Sequence, residues 1–164
     1  MKTLLKIVAA TLVCLVLVLL ALRVTGLDPK DRRPGLWLRG DVVTTPVADW
    51  SFADKYPTLL IQTRTWYLLP HSVTIRFVCY KGQLYLHTVS PKGAPFPKDK
   101  SWTTNLIRDP HVRIKIGNQL FDRTATLATD PAEMAGLMDA RAKKTPGVKH
   151  PSDSITYWFH VLPE

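Results

Sequence analysis

The chain has 164 residues, with 22 Lys or Arg against 13 Asp or Glu, a formal charge of +9, and 46% hydrophobic residues. That length accommodates one domain of ordinary size with a real core, and the apolar content excludes a mostly disordered chain. Its 2 cysteines exclude a disulfide scaffold and a four-cysteine zinc module.

Much of the hydrophobicity sits at one end. No charge interrupts Ile7 to Leu22, with Lys2 and Lys6 before this run and Arg23, Lys30, Arg32 and Arg33 after it. A membrane span needs about 20 apolar residues, a length that Leu4 and Leu5 nearly complete if Lys6 snorkels toward the headgroups. A cleaved secretory signal would end in a small-x-small site, and Ala21 to Gly26 offers no good one. Residues 1–22 therefore read as an uncleaved signal anchor, making the membrane a partner. Lys2 and Lys6 favour a cytoplasmic N-terminus, which places the following domain on the extracytoplasmic side. Residues 23–35 are rich in charge and turn formers and read as a tether, leaving 36–164 as the domain. Without residues 1–33 the balance falls to 16 basic against 11 acidic residues, scattered along the chain, so no nucleic-acid partner is expected.

Thr58–Thr65 is the first expected strand. Ser72–Tyr80 alternates with Val73, Ile75, Phe77 and Cys79 on one face. Lys81-Gly82 then turns into Gln83–Val89, which alternates again, so the two runs form a hairpin. Ser90–Lys100 contains three prolines and reads as a loop. Ser101–Asp109 is a short helix stopped at Pro110, followed by strands at His111–Ile116 and Gln119–Ala128 around Gly117-Asn118. Asp130-Pro131-Ala132-Glu133 starts a helix by capping, with Met134, Leu137 and Met138 on its apolar face and an end before Pro146-Gly147. Ser154–Val161 is the last strand. The sum is a mainly β (α+β) domain: a six-stranded antiparallel closed barrel with two short helices.

No nucleophile elbow, phosphate-binding glycine loop, zinc-protease motif or C-x-x-C pair is present. Cys79 reads as a small buried hydrophobe, and the 5 histidines show no local metal-ligand spacing, so no metal site is expected. Such a chain would do difficult chemistry with a bound cofactor rather than with its own side chains.

Three segments carry binding potential. Gln62–Ser72 offers the hydroxyls of Thr63, Thr65 and Ser72, the Arg64 guanidinium and His71, a set suited to an anion; the alternative is an ordinary hairpin loop with Trp66 filling the core. His87 and Thr88 end a strand beside the proline-rich loop; the alternative is plain solvent-facing polarity. Lys100, Ser101 and Asn105 surround a helix N-terminus, where anions are favoured; the alternative is a capped helix with Trp102 packed inward.

The order of these segments, with T-R-T, P-H-S, V-T-I-R-F-V, L-Y-L and K-S-W-T-T-N-L-I-R-D-P-H-V-R-I-K-I-G, resembles the split β-barrel flavin-binding proteins. Within them the chain looks closest to the deazaflavin-dependent nitroreductase-like branch, related to pyridoxamine phosphate oxidase. The likeness covers residues 56–162. It implies an often homodimeric six-stranded split barrel holding FMN or a deazaflavin by its phosphates, and an oxidoreductase (reductase) activity. Carried over, the phosphate loop falls on Thr63–Ser72 and the second cofactor-facing segment on Lys100–Asn105. Thr63, Arg64, Thr65, His71, Ser72, Lys100, Ser101 and Asn105 would then hold the small-molecule cofactor, and Trp66, Tyr67 or Trp102 would stack on its ring. The branch's glycine-rich first loop is replaced here by Trp66-Tyr67-Leu68-Leu69, whose bulk opposes close backbone approach to phosphate. The cofactor then binds differently, or the site takes something more apolar, or it takes none. The alternative function is a non-catalytic envelope module binding haem, lipid or a protein.

Overall fold

The computed structural model describes residues 1–148 and 153–163. Helix α1, Lys2–Thr25, has 24 residues and buries none of them against the rest of the chain. Its mean hydropathy reaches 2.8. At ~1.5 Å per residue it is about 36 Å long, enough to cross a bilayer core of about 30 Å.

The remainder is built on eight strands: β1 (Asp41–Val42), β2 (Leu59–Arg64), β3 (Pro70–Ile75), β4 (Phe77–Tyr80), β5 (Gln83–Pro91), β6 (His111–Ile116), β7 (Gln119–Leu127) and β8 (Ser154–Leu162). The hydrogen-bonded order is β3-β2-β6-β7-β8-β5-β4, with β1 added on β7. Every pairing is antiparallel except the parallel β1–β7 contact.

The expected six-stranded closed barrel is therefore corrected on both counts. The alternating run Ser72–Tyr80 is two strands, broken at exposed Arg76, after which the chain leaves β2 and pairs with β5. β1 lies in residues 36–56, where two paired residues are too short to leave an alternating pattern. β3 and β4 stand at opposite ends of the ladder and are joined through Arg76 alone, so no ladder closes the sheet.

The sheet wraps one apolar core that includes Leu59, Ile61, Phe77, Leu86, Ile114, Phe121 and Phe159. Helix α2, Ser101–Arg108, closes one side by burying Trp102 and Leu106 in that core. Helix α3, Pro131–Lys144, covers the other face over Val78, Tyr85 and Trp158. Val78 is thus buried although the alternation points it outward, because a helix covers that face too. Asp130 caps α3 as expected, accepting from Ala132 N at 2.9 Å with Pro131 in the first turn. Glu133 instead accepts the Tyr85 hydroxyl, which fastens α3 to β5.

Residues 26–37 lie against β3. Leu27 N donates to Trp37 O at 2.8 Å, and Gly35 and Ser72 exchange backbone bonds at 2.9 and 3.1 Å. Only glycine fits at position 35, since a Cβ there would meet Leu27 O at 2.1 Å and Pro29 N at 2.7 Å.

Candidate cofactor cleft

The hairpin β2–β3 pairs Thr63 with His71 and Gln62 with Ser72, so His71 and Ser72 are strand residues, not loop residues. Its tip is a three-residue loop, Trp66-Tyr67-Leu68. Trp66 is exposed at the tip and packs only on Tyr67, with ring centroids 5.3 Å apart.

Helix α2 docks on this hairpin through three polar contacts. Asn105 Nδ2 donates to Thr63 Oγ1 at 3.0 Å, and that hydroxyl donates to His71 O at 3.2 Å. Ser101 Oγ lies 3.0 Å from His71 Nε2. Arg108 donates to Arg64 O, and Arg64 pairs with Asp109 at 3.5 Å. The two segments singled out from the sequence therefore meet. Burial decides what each member can do. Thr63, Thr65, Ser72, Asn105 and Trp102 are buried, while Arg64 and Ser101 are exposed. Burial holds the His71 imidazole below its ordinary pKa, which favours the neutral ring, whose tautomer decides whether Nε2 donates to Ser101 Oγ or accepts from it.

Lys100 and Trp102 face a different opening from Arg64. A cleft of about 450 Å³ lies between residues 31–34, β3, β5 and the start of α2. Arg32, Arg33, Arg76 and Lys100 bring four cations to it against one carboxylate, Asp31; His87 and Thr88 form its polar wall, and Val73, Ile75 and Trp102 its apolar surface. Thr63 and Arg64 line a second cleft of about 670 Å³, together with Arg23, Trp37 and Leu68.

The first cleft exists because β3 and β5 part at Arg76, where His87 N reaches Arg76 O only at 3.5 Å. Lys100 Nζ is held by Val89 O at 2.9 Å, Ser90 Oγ at 3.3 Å and Asp99 at 3.2 Å. Arg76 has no carboxylate within ion-pair distance among the described residues. Close by, Arg141 is buried on neutral partners, donating to Thr156 Oγ1 at 2.7 Å. Its pKa is lowered first by burial and then by the charge of Arg76. A guanidinium without an ion-pair partner, in a cleft where cations outnumber carboxylates, favours an anion near it. The lining fits a phosphate-bearing cofactor with an aromatic ring: cations for the phosphates, Trp102, Val73 and Ile75 for the apolar part. At this volume the cleft has the size of an ordinary small-molecule site. No group of three or more His, Cys, Asp or Glu that could hold a metal occurs among the described residues.

Of the residues lining this cleft, the sequence singles out Lys100, Trp102, His87 and Thr88 but not Arg32, Arg33 or Arg76. Arg76 left a signal, as the one charge inside the run SVTIRFVCY. Arg32 and Arg33 left none beyond their charge, since only the fold brings them back to β3.

Comparison with solved structures places the fold. A conserved hypothetical protein from Mycobacterium tuberculosis superposes with a TM-score of 0.53 at 16% identity, over 76% of this chain and 84% of that one. The heme storage protein HutZ from Vibrio cholerae gives 0.52 at 17% identity, over 69% and 85%. No curated protein sequence matches. The family described as F420H(2)-dependent quinone reductase matches residues 70–152, half of the chain. That stretch carries Arg76, His87, Thr88, Lys100 and Trp102, and the chain belongs to the F420H(2)-dependent quinone reductase family.

Proposed function

We propose that the chain is a membrane-anchored reductase that holds a deazaflavin or FMN in the cleft between β3 and β5. Family membership supports an oxidoreductase with a flavin-type cofactor. The observation that carries this cleft is its lining by Arg32, Arg33, Arg76 and Lys100 against the single carboxylate Asp31, with Arg76 outside ion-pair distance of any acid among the described residues. In this reading Arg32, Arg33, Arg76 and Lys100 hold the phosphates. Thr88 and His87 orient the ring, and Trp102 with Val73 and Ile75 keep water from it. Such a cofactor supplies hydride transfer, and the protein's part is to position it. Thr63, Ser72 and Asn105 support the walls from inside, while Arg64 and Ser101 border the α2–hairpin junction.

The test is titration of the full chain in detergent with FMN, FAD and a deazaflavin, read by ring fluorescence and melting temperature. Saturable binding that raises the melting temperature is expected. No binding of any of the three refutes the reading and favours a non-catalytic envelope module on the same fold.

α1 serves in this reading as a signal anchor, with residues 36–164 as the domain outside the cytoplasmic membrane. Its length, its hydropathy of 2.8 and its unburied surface support this role. Resistance to alkaline carbonate extraction, and protease access to the domain in spheroplasts, are the expected results. Light scattering of the detergent complex tests the homodimer that the family resemblance implies.

A further inference from the structure

We infer that the β2–β3 hairpin tip is a second membrane contact, with Trp66, Tyr67 and Leu68 seated in the headgroup region of the bilayer that holds α1. Beyond Met1 and α1, Trp66 at 79% and Leu68 at 78% are the most exposed large apolar side chains among the described residues, and Tyr67 between them is 53% exposed. Three adjacent solvent-facing apolar residues at a hairpin tip are costly in water unless something covers them. The occupant follows from position. Leu68 lines the same cleft as Arg23, which lies in the last turn of α1, together with Trp37 and Arg64. The tip thus stands where the anchor leaves the bilayer. Trp and Tyr favour that interface because their rings are apolar with one polar edge.

The surrounding charge is of the matching sign. Three exposed arginines, Arg23, Arg64 and Arg108, outnumber the Asp109 carboxylate that pairs with Arg64, and Arg108 is held on the Arg64 carbonyl. This collar suits anionic headgroups. The backbone adds an independent observation. The tip closes through Leu68 N to Thr65 O and Thr65 N to Leu69 O, both at 3.1 Å, and puts Leu68 at a φ of 66°. That left-handed position of a three-residue hairpin loop favours glycine. A leucine there strains the fold while keeping an apolar side chain outside it.

The inference rests on the anchor reading of α1, and its test separates the two. The full chain is reconstituted in phosphatidylcholine–phosphatidylglycerol vesicles carrying lipid brominated near the headgroup end of the acyl chains. Bromine is expected to quench the tryptophan emission, and Trp66→Phe to abolish about half or more of that quenching. Leu68→Gly is expected to raise the melting temperature and yet reduce the quenching of Trp66. Equal quenching in the parent and Trp66→Phe overturns the proposal, whether water or a second protein copy surrounds the tip. Modification of Cys14 by a water-soluble maleimide, read by peptide mass spectrometry, reports on α1 separately. Protected Cys14 with equal quenching refutes the tip alone, and reactive Cys14 refutes both.

Discussion

Asn105 Nδ2 donates to the Thr63 hydroxyl at 3.0 Å across 42 residues of sequence, with both side chains buried. This contact fixes α2 on β2, and so fixes where Lys100 and Trp102 meet the cleft. Thr63→Val leaves the Asn105 amide without that partner and should lower stability by about 1–3 kcal/mol. Thr63→Val with Asn105→Leu should cost less than the sum of the single changes, because both polar partners leave together. Denaturant unfolding of the four proteins in detergent measures the coupling.

The charge of Arg76 disfavours the charged form of buried Arg141, and Arg76 itself has no acid within ion-pair distance among the described residues. Arg76→Gln should weaken binding of FMN or a deazaflavin by roughly tenfold. The same change should raise the melting temperature of the ligand-free protein, since it removes a repulsion. Opposite signs in the two measurements distinguish a ligand contact from general damage to the fold.

Gly35 passes within reach of Leu27, Pro29 and Ser72, and an added Cβ would meet the Leu27 carbonyl at 2.1 Å. Gly35→Ala should therefore cost about 1–3 kcal/mol. It should also speed amide hydrogen exchange at Leu27 and Leu36, whose donors hold this segment together. Arg32 and Arg33 would then lose their fixed place over the cleft, and cofactor affinity should fall with them.

His71 and His160 are both held below the ordinary histidine value of 6.5 by burial. The unfolded chain takes up protons at these two sites at a higher pH than the folded chain does. Their contribution to stability is thus fully present above pH 6.5 and is lost as pH falls from there through the depressed folded values. Melting temperature should drop between pH 7 and pH 5, and His71→Asn with His160→Gln should flatten that drop. A pH profile of thermal unfolding for the two proteins decides it.

The sequence by itself determined the local elements, because each depends on neighbours along the chain. The apolar run before Arg23 makes a helix long enough to cross a bilayer. Asp130-Pro131 starts α3 where the cap requires, and the alternation of Gln83–Val89 and His111–Ile116 marks strands β5 and β6. The tertiary structure alone decided three things. Arg76 ends β3 and opens the sheet, because β3 finds its partner in β2 while β4 alone keeps the expected hairpin pairing with β5. The segment Thr63–Ser72 divides between a buried polar junction and an exposed apolar tip, because pairing with His71 and packing of α2 turn Thr63 inward and leave Trp66 outside. Arg32 and Arg33 reach the cleft because Gly35 lets their segment close on Ser72. Periodicity along a strand reports which residues share a face, whereas a cleft is made by residues from several elements whose distances only packing sets.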